Sequence, residues 1–221
     1  IENPTAVPLC TQTAFHTPRS SPFEESLSGE SCQDRSQVGT LTVRSSYSGG
    51  TTRTFGLFNL APPPGVPSEL GANPYGTPIV FIPSIRQAEG EYGITLHTRN
   101  VPQLADIEGL ELTIWGNPWS VLHDAQRGNC LNEVEPSFGW AKCSIGRPLK
   151  NPPNAYLTLP TDCAAPMRFT ATASSWQGGS VVRTSEGPLP KECESLAFEP
   201  HALAQLTDPR ATRYFMTAGE A

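Results

Sequence analysis

Charge is scarce in this sequence: Asp, Glu, Lys and Arg make up 16% of 221 residues, and the balance is acidic, 21 against 15, for a formal net charge of −6. No cluster of Lys and Arg offsets that balance. An acidic surface repels phosphate backbones, so a nucleic-acid partner is not expected. No apolar run is long enough to span a bilayer. Long windows free of Pro and Gly are nearly absent, which argues against a helical protein. There is no C-x-x-C pair, and His16, His97, His123 and His201 are scattered, so no metal site is expected. No cofactor signature is present either. The sequence also lacks a G-x-S-x-G elbow, an H-E-x-x-H helix, a P-loop and a G-x-G-x-x-G turn, which removes the commonest hydrolase, metalloprotease and nucleotide readings.

What is abundant is turn chemistry, with 19 Gly and 23 Pro. Between the turns the apolar residues alternate, the pattern of half-buried strands rather than of a disordered chain. Val38 to Tyr47 and Thr51 to Leu60 read as a hairpin across Ser48-Gly49-Gly50. Ala61-Pro-Pro-Pro-Gly reads as a stiff crossing. Pro78 to Arg86 follows as a strand that Pro83 confines to an edge or a bulge. Tyr92 to Asn100 then places His97 on the face opposite Ile94 and Leu96, as a solvent-facing residue. Leu110, Leu112 and Ile114 alternate with Glu111, Thr113 and Trp115. Later strands are expected at Tyr156 to Leu159, Met167 to Ala173 and Val181 to Thr184. About eight short strands with regular turn signals predict an all-β fold, an antiparallel β-sandwich of Ig-like or jelly-roll-like type with long Pro/Gly-rich loops. Residues 1–195 are expected to form one domain, in which 1–36 is an irregular segment tied down by a disulfide; 196–221 read as a tail or linker.

Six cysteines in such a chain point to an oxidising compartment and hence to an extracellular protein. Sequence does not fix their connectivity. Nearest-neighbour closure is the simplest arrangement: Cys10 with Cys32, Cys130 with Cys143, and Cys163 with Cys193. No signal peptide precedes Ile1, which reads as a mature start or as a cut from a longer chain.

The densest gathering of aromatic and ionisable groups is Ile114 to Cys130, I-W-G-N-P-W-S-V-L-H-D-A-Q-R-G-N-C. His123 and Asp124 are the best acid/base candidates, because a carboxylate can orient an imidazole, with Glu111 as a further carboxylate. Adjacent residues rarely face one another, however, and Asp124 capping the following turn is the structural alternative. Carboxylates at Asp106, Glu108 and Glu111, or at Glu133 and Glu135, could serve glycoside hydrolysis only across a cleft; otherwise they are solvated loop charges. Trp115, Trp119, Trp140 and Trp176 all fall at strand ends or in loops. Exposed indoles there would make flat platforms for sugar rings, with Asn117 and Arg127 as hydrogen-bonding neighbours. The alternative is that these rings plug the ends of the sandwich.

Several stretches, taken in order, carry a family resemblance: Asn3-Pro-Thr-Ala-Val-Pro-Leu-Cys10, Cys32-Gln-Asp-Arg-Ser-Gln-Val-Gly39, Asn59-Leu-Ala-Pro-Pro-Pro-Gly-Val-Pro67, Leu112-Thr-Ile-Trp-Gly-Asn-Pro118, His123-Asp-Ala-Gln-Arg127, Leu157-Thr-Leu-Pro-Thr-Asp-Cys163 and Cys193-Glu-Ser-Leu. Together they resemble a repeated domain of large secreted proteins from actinobacteria, over residues 3–200. The resemblance implies a secreted or cell-surface β-rich domain with bridged cysteines and neighbouring domains in a longer chain. It carries over no catalytic residue. One departure is that family members usually run on into another β domain, whereas this sequence stops at Ala221.

Two functional expectations follow. The first is a non-catalytic surface or adhesion-type module that binds a glycan or cell-surface polymer through a Trp115–Trp119 platform. The second is an extracellular polysaccharide- or ester-active hydrolase with an unfamiliar site at His123, Asp124 and Glu111. A purely structural repeat of a cell-surface array predicts neither a platform nor a pocket.

Overall fold

The computed structural model describes residues 5–16, 32, 34–46, 50–88, 91–99, 101, 107–132, 155–158, 165–189, 202–205 and 215–218. The chain divides into two compact units, Ile1–Thr158 and Leu159–Ala221. The boundary expected near 195–196 lies outside the described residues.

The first unit is built on one antiparallel sheet. Its strands are β1 (Gln37–Ser45), β2 (Thr52–Leu60), β3 (Glu69–Ala72), β4 (Ile79–Ala88), β5 (Glu91–Thr98) and β6 (Ile107–Ile114), in the order β5-β4-β3-β2-β1-β6. Five strands therefore form a meander, and β6 returns to the free side of β1. The expected first hairpin is present, with Leu41 opposite Phe55 and Thr42 opposite Thr54. Its turn ends at Gly50, whose φ of 76° is open to glycine without a Cβ penalty. On its other side β1 sets Leu41 opposite Leu112 and Gly39 opposite Ile114. A Cβ on Gly39 would meet the Thr113 carbonyl, so only glycine lets β6 approach there.

Register explains how the apolar residues divide between the two faces. Leu41, Val43, Leu57, Leu70, Ala72, Ile79 and Phe81 fall on one face and form the main core, together with Val7 and Tyr156. The other face carries a smaller cluster of Leu60 with Phe58 and Val80, covered by Phe15 from the short helix α1 (Gln12–His16). Gly71 leaves room for that ring: a Cβ there would come within 2.5 Å of Phe15 Cζ. The Cys10–Cys32 disulfide, with Cα atoms 5.3 Å apart, pins this segment as nearest-neighbour pairing predicts. Backbone bonds stitch it to β2, from Cys10 N–H to the Asn59 carbonyl (2.7 Å) and from Ala61 N–H to the Cys10 carbonyl (2.8 Å).

The placement of Pro83 differs from the expectation for a reason the register supplies. Strand β4 lies inside the sheet order, yet its ladder to β3 covers only Ile79 to Phe81. Pro83 sits beyond that ladder, in the part of β4 paired to β5 alone, so its missing N–H breaks no two-sided pairing. His97 is exposed on β5 as expected.

In the second unit, β7 (Arg168–Ser174) pairs with β8 (Ser180–Glu186) and β9 (Ala202–Gln205) pairs with β10 (Phe215–Ala218), both antiparallel. The latter ladder falls within the stretch read as a tail. Among the described residues the α-helix is confined to α1, and no helix is long and apolar enough to cross a membrane. The fold is thus antiparallel β with few helices.

Candidate functional site

The site grows from the end of β6. Trp115 N–H donates to the Val38 carbonyl (2.8 Å), which carries the indole one position past the strand. Gly116 then breaks the ladder. Its carbonyl accepts from Tyr156 N–H (2.9 Å) and Leu157 N–H (3.3 Å), and a Cβ on it would stand 3.0 Å from the Leu157 carbonyl. The chain reverses through Asn117 and Pro118, with Ser120 N–H bonded to the Asn117 carbonyl (3.1 Å). Ser120 caps the next element: its Oγ accepts from Leu122 N–H (3.3 Å) at the start of a 3-10 helix, Val121–Gln126. A second 3-10 turn, Gly128–Asn132, follows.

This helix lies over the tryptophan. The His123 imidazole stacks on the Trp115 indole with centroids 4.4 Å apart and 6° between planes. The Arg127 guanidinium carbon lies 4.9 Å from the same indole centroid, a cation–π contact. Arg127 is fully buried, and its Nε is 3.5 Å from Asp124 Oδ1. Trp115 itself is only 3% exposed. Among the described residues no acceptor lies within reach of its Nε1.

A buried side chain that the sequence did not single out locks the turn. Gln37, at the start of β1, donates from Nε2 to the carbonyls of Gly39 (3.0 Å) and Gln126 (2.7 Å). Its Oε1 accepts from Gly128 N–H (3.0 Å). One amide thus joins β1 to the junction of the two 3-10 turns. A polar residue opening an apolar strand was the only signal, and it does not reveal a partner 91 positions away.

Burial holds His123 below its ordinary pKa of 6.5; the Arg127 charge acts in the same direction and Asp124 opposes it. The imidazole is therefore neutral at pH 7.

The structure thus brings together Trp115, His123, Asp124 and Arg127. An exposed platform on Trp115 does not form, because the chain folds back after Pro118 and lays His123 and Arg127 on the ring. Trp119 is half-buried and packs against the main core, while Asn117 is exposed. Glu111 is exposed on β6, opposite Thr42 of β1. Cys130 is buried and disulfide-bonded. Trp140, Cys143, Cys163, Cys193, Asp106, Glu133 and Glu135 lie outside the described residues. Among the described residues no group of three or more His, Cys, Asp and Glu side chains is arranged to hold a metal ion. A shallow depression of about 380 Å³ lies on the β7–β8 ladder, lined by Arg168, Thr184, Ser185 and Glu186; it contains none of the candidate residues.

Comparisons with protein-family models, with curated proteins and with solved structures find no match.

Proposed function

We propose that the chain is a non-catalytic, extracellular β-rich module of the surface or adhesion type, as its resemblance to the repeated secreted domain implies. One observation carries this reading: the best acid/base pair in the sequence is taken up in holding a turn. His123 lies flat on a buried indole, and Asp124 faces a fully buried arginine. Bridged Cys10, Cys32 and Cys130 support an oxidising location. Buried residues on both faces of β1 support a layered, sandwich-like body around the sheet. A glycan or surface polymer would meet the module at Trp119 and Asn117 rather than at Trp115.

A hydrolase remains the second reading, favoured by the neutral imidazole, the form a general base needs. A glycan and polymer retention screen, run beside ester and glycoside turnover assays, separates the two. Retention that falls in Trp119→Ala, with no turnover in either protein, supports the module. Turnover abolished by His123→Ala in a folded variant supports the enzyme.

A further inference from the structure

Strands β5 and β6 end the six-stranded sheet, and each has a ladder on one side only among the described residues. An open edge invites another strand unless it is blunted. The two edges differ in what they offer. Strand β6 carries Glu108 and Glu111 and no cation, so a second copy of itself offers no opposite charge to set a register; Glu108 is already paired with Arg44 at 3.3 Å.

Strand β5 and the residue after it read Glu91-Tyr-Gly-Ile-Thr-Leu-His-Thr-Arg99, which is self-complementary about Thr95. Antiparallel pairing with a second β5 in that register sets Thr95 opposite Thr95 and Ile94 opposite Leu96 of the second copy. It also sets Glu91 opposite Arg99 at both ends. Parallel pairing in register would instead place Glu91 by Glu91 and Arg99 by Arg99. The charges therefore select one orientation and one register.

The apolar face agrees. Ile85 of β4 lies opposite Ile94 of β5, and Pro83 lies opposite Leu96. In one copy the Pro83–Leu96 end of this row is covered, Pro83 buried and Leu96 half-buried, while its other end runs out into solvent, with Ile85 77% and Ile94 42% exposed. Directly opposed residues share a face. The pairing therefore aligns Ile85 and Ile94 with Leu96 and Pro83 of the second copy, and its two-fold mate does the same.

We propose that this chain forms a two-fold symmetric dimer by antiparallel β5–β5 addition centred on Thr95, joining two six-stranded sheets into one. Symmetry makes the contact isologous, so it closes at two copies and leaves the β6 edges outermost. The test is sedentimentation of the 221-residue chain over a concentration series, with charge reversals at the two ends. The wild type is expected to sediment as a dimer. Glu91→Arg and Arg99→Glu, each placing like charges opposite one another twice per dimer, should each raise the dissociation constant about tenfold. The double reversal should restore it. A wild type that stays monomeric, assemblies that grow past two copies, or single reversals without effect would each overturn the proposal. Circular dichroism of each variant separates loss of pairing from loss of fold.

Discussion

The His123 imidazole and the Trp115 indole lie parallel, 4.4 Å between centroids, and the Arg127 guanidinium rests against the same indole. Aromatic pairs of this kind contribute about 0.5–1.5 kcal/mol beyond the area they bury. His123→Ala should therefore destabilise the first unit by about that much in a urea titration, with m unchanged.

The same stack makes stability depend on pH. Folding lowers the His123 pKa, so the unfolded chain binds the proton more readily than the folded one. The contribution of His123 is complete above its ordinary value of 6.5 and is lost as pH falls from there toward the folded value. The wild type should lose stability between pH 7.5 and pH 5 by more than a His123→Gln variant does. Equal losses in the two proteins would show that other groups set the acid limb.

Arg127 is buried without any exposed surface, and its charge faces Asp124. Breaking a buried pair by removing one member costs about 3–5 kcal/mol. Arg127→Ala should fall in that range. Arg127→Lys should recover only part of the loss, because an ammonium keeps the charge over the indole but lacks the flat guanidinium face that packs on it. Thermal melts of both variants check this ordering.

Gln37 offers a cleaner experiment on hydrogen bonding alone. Gln37→Leu keeps much of the volume but strands the buried Gly128 N–H, at a cost of about 1–3 kcal/mol, and leaves the part-buried Gln126 carbonyl to solvent. Amide exchange at Gly128 and Cys130 should accelerate before the β1–β2 ladder is affected.

The Cys10–Cys32 bridge closes a loop of 22 positions over the Phe15 cluster. Replacing both cysteines with serine should lower stability by about 2–4 kcal/mol. The loss should fall first on α1, since the main core lies on the other face of the sheet.

Much of the sheet was legible because strands announce themselves locally. Alternation and the Ser48-Gly49-Gly50 signal marked the β1–β2 hairpin to within a residue or two at each end. The site was less legible. Alternation turned Trp115 away from the Leu110–Ile114 row but could not say what would cover it. That depended on a 3-10 helix with no apolar period and on a glutamine from the far end of the unit. The short reach of β3, which makes Pro83 acceptable in an interior strand, likewise appears only once the register is known.

The return of β6 to β1 sets an order of events. Strands β1 to β5 can pair as soon as each follows its neighbour, but the second side of β1 waits until Ile107–Ile114 has left the ribosome. Distant pairings of this kind slow folding, because the intervening chain must be looped before any contact rewards it. The tryptophan turn is fastened to that final strand of the six-stranded sheet, so it is assembled after the rest of the sheet, and a chain cut short before it would present β1 as a bare, sticky margin.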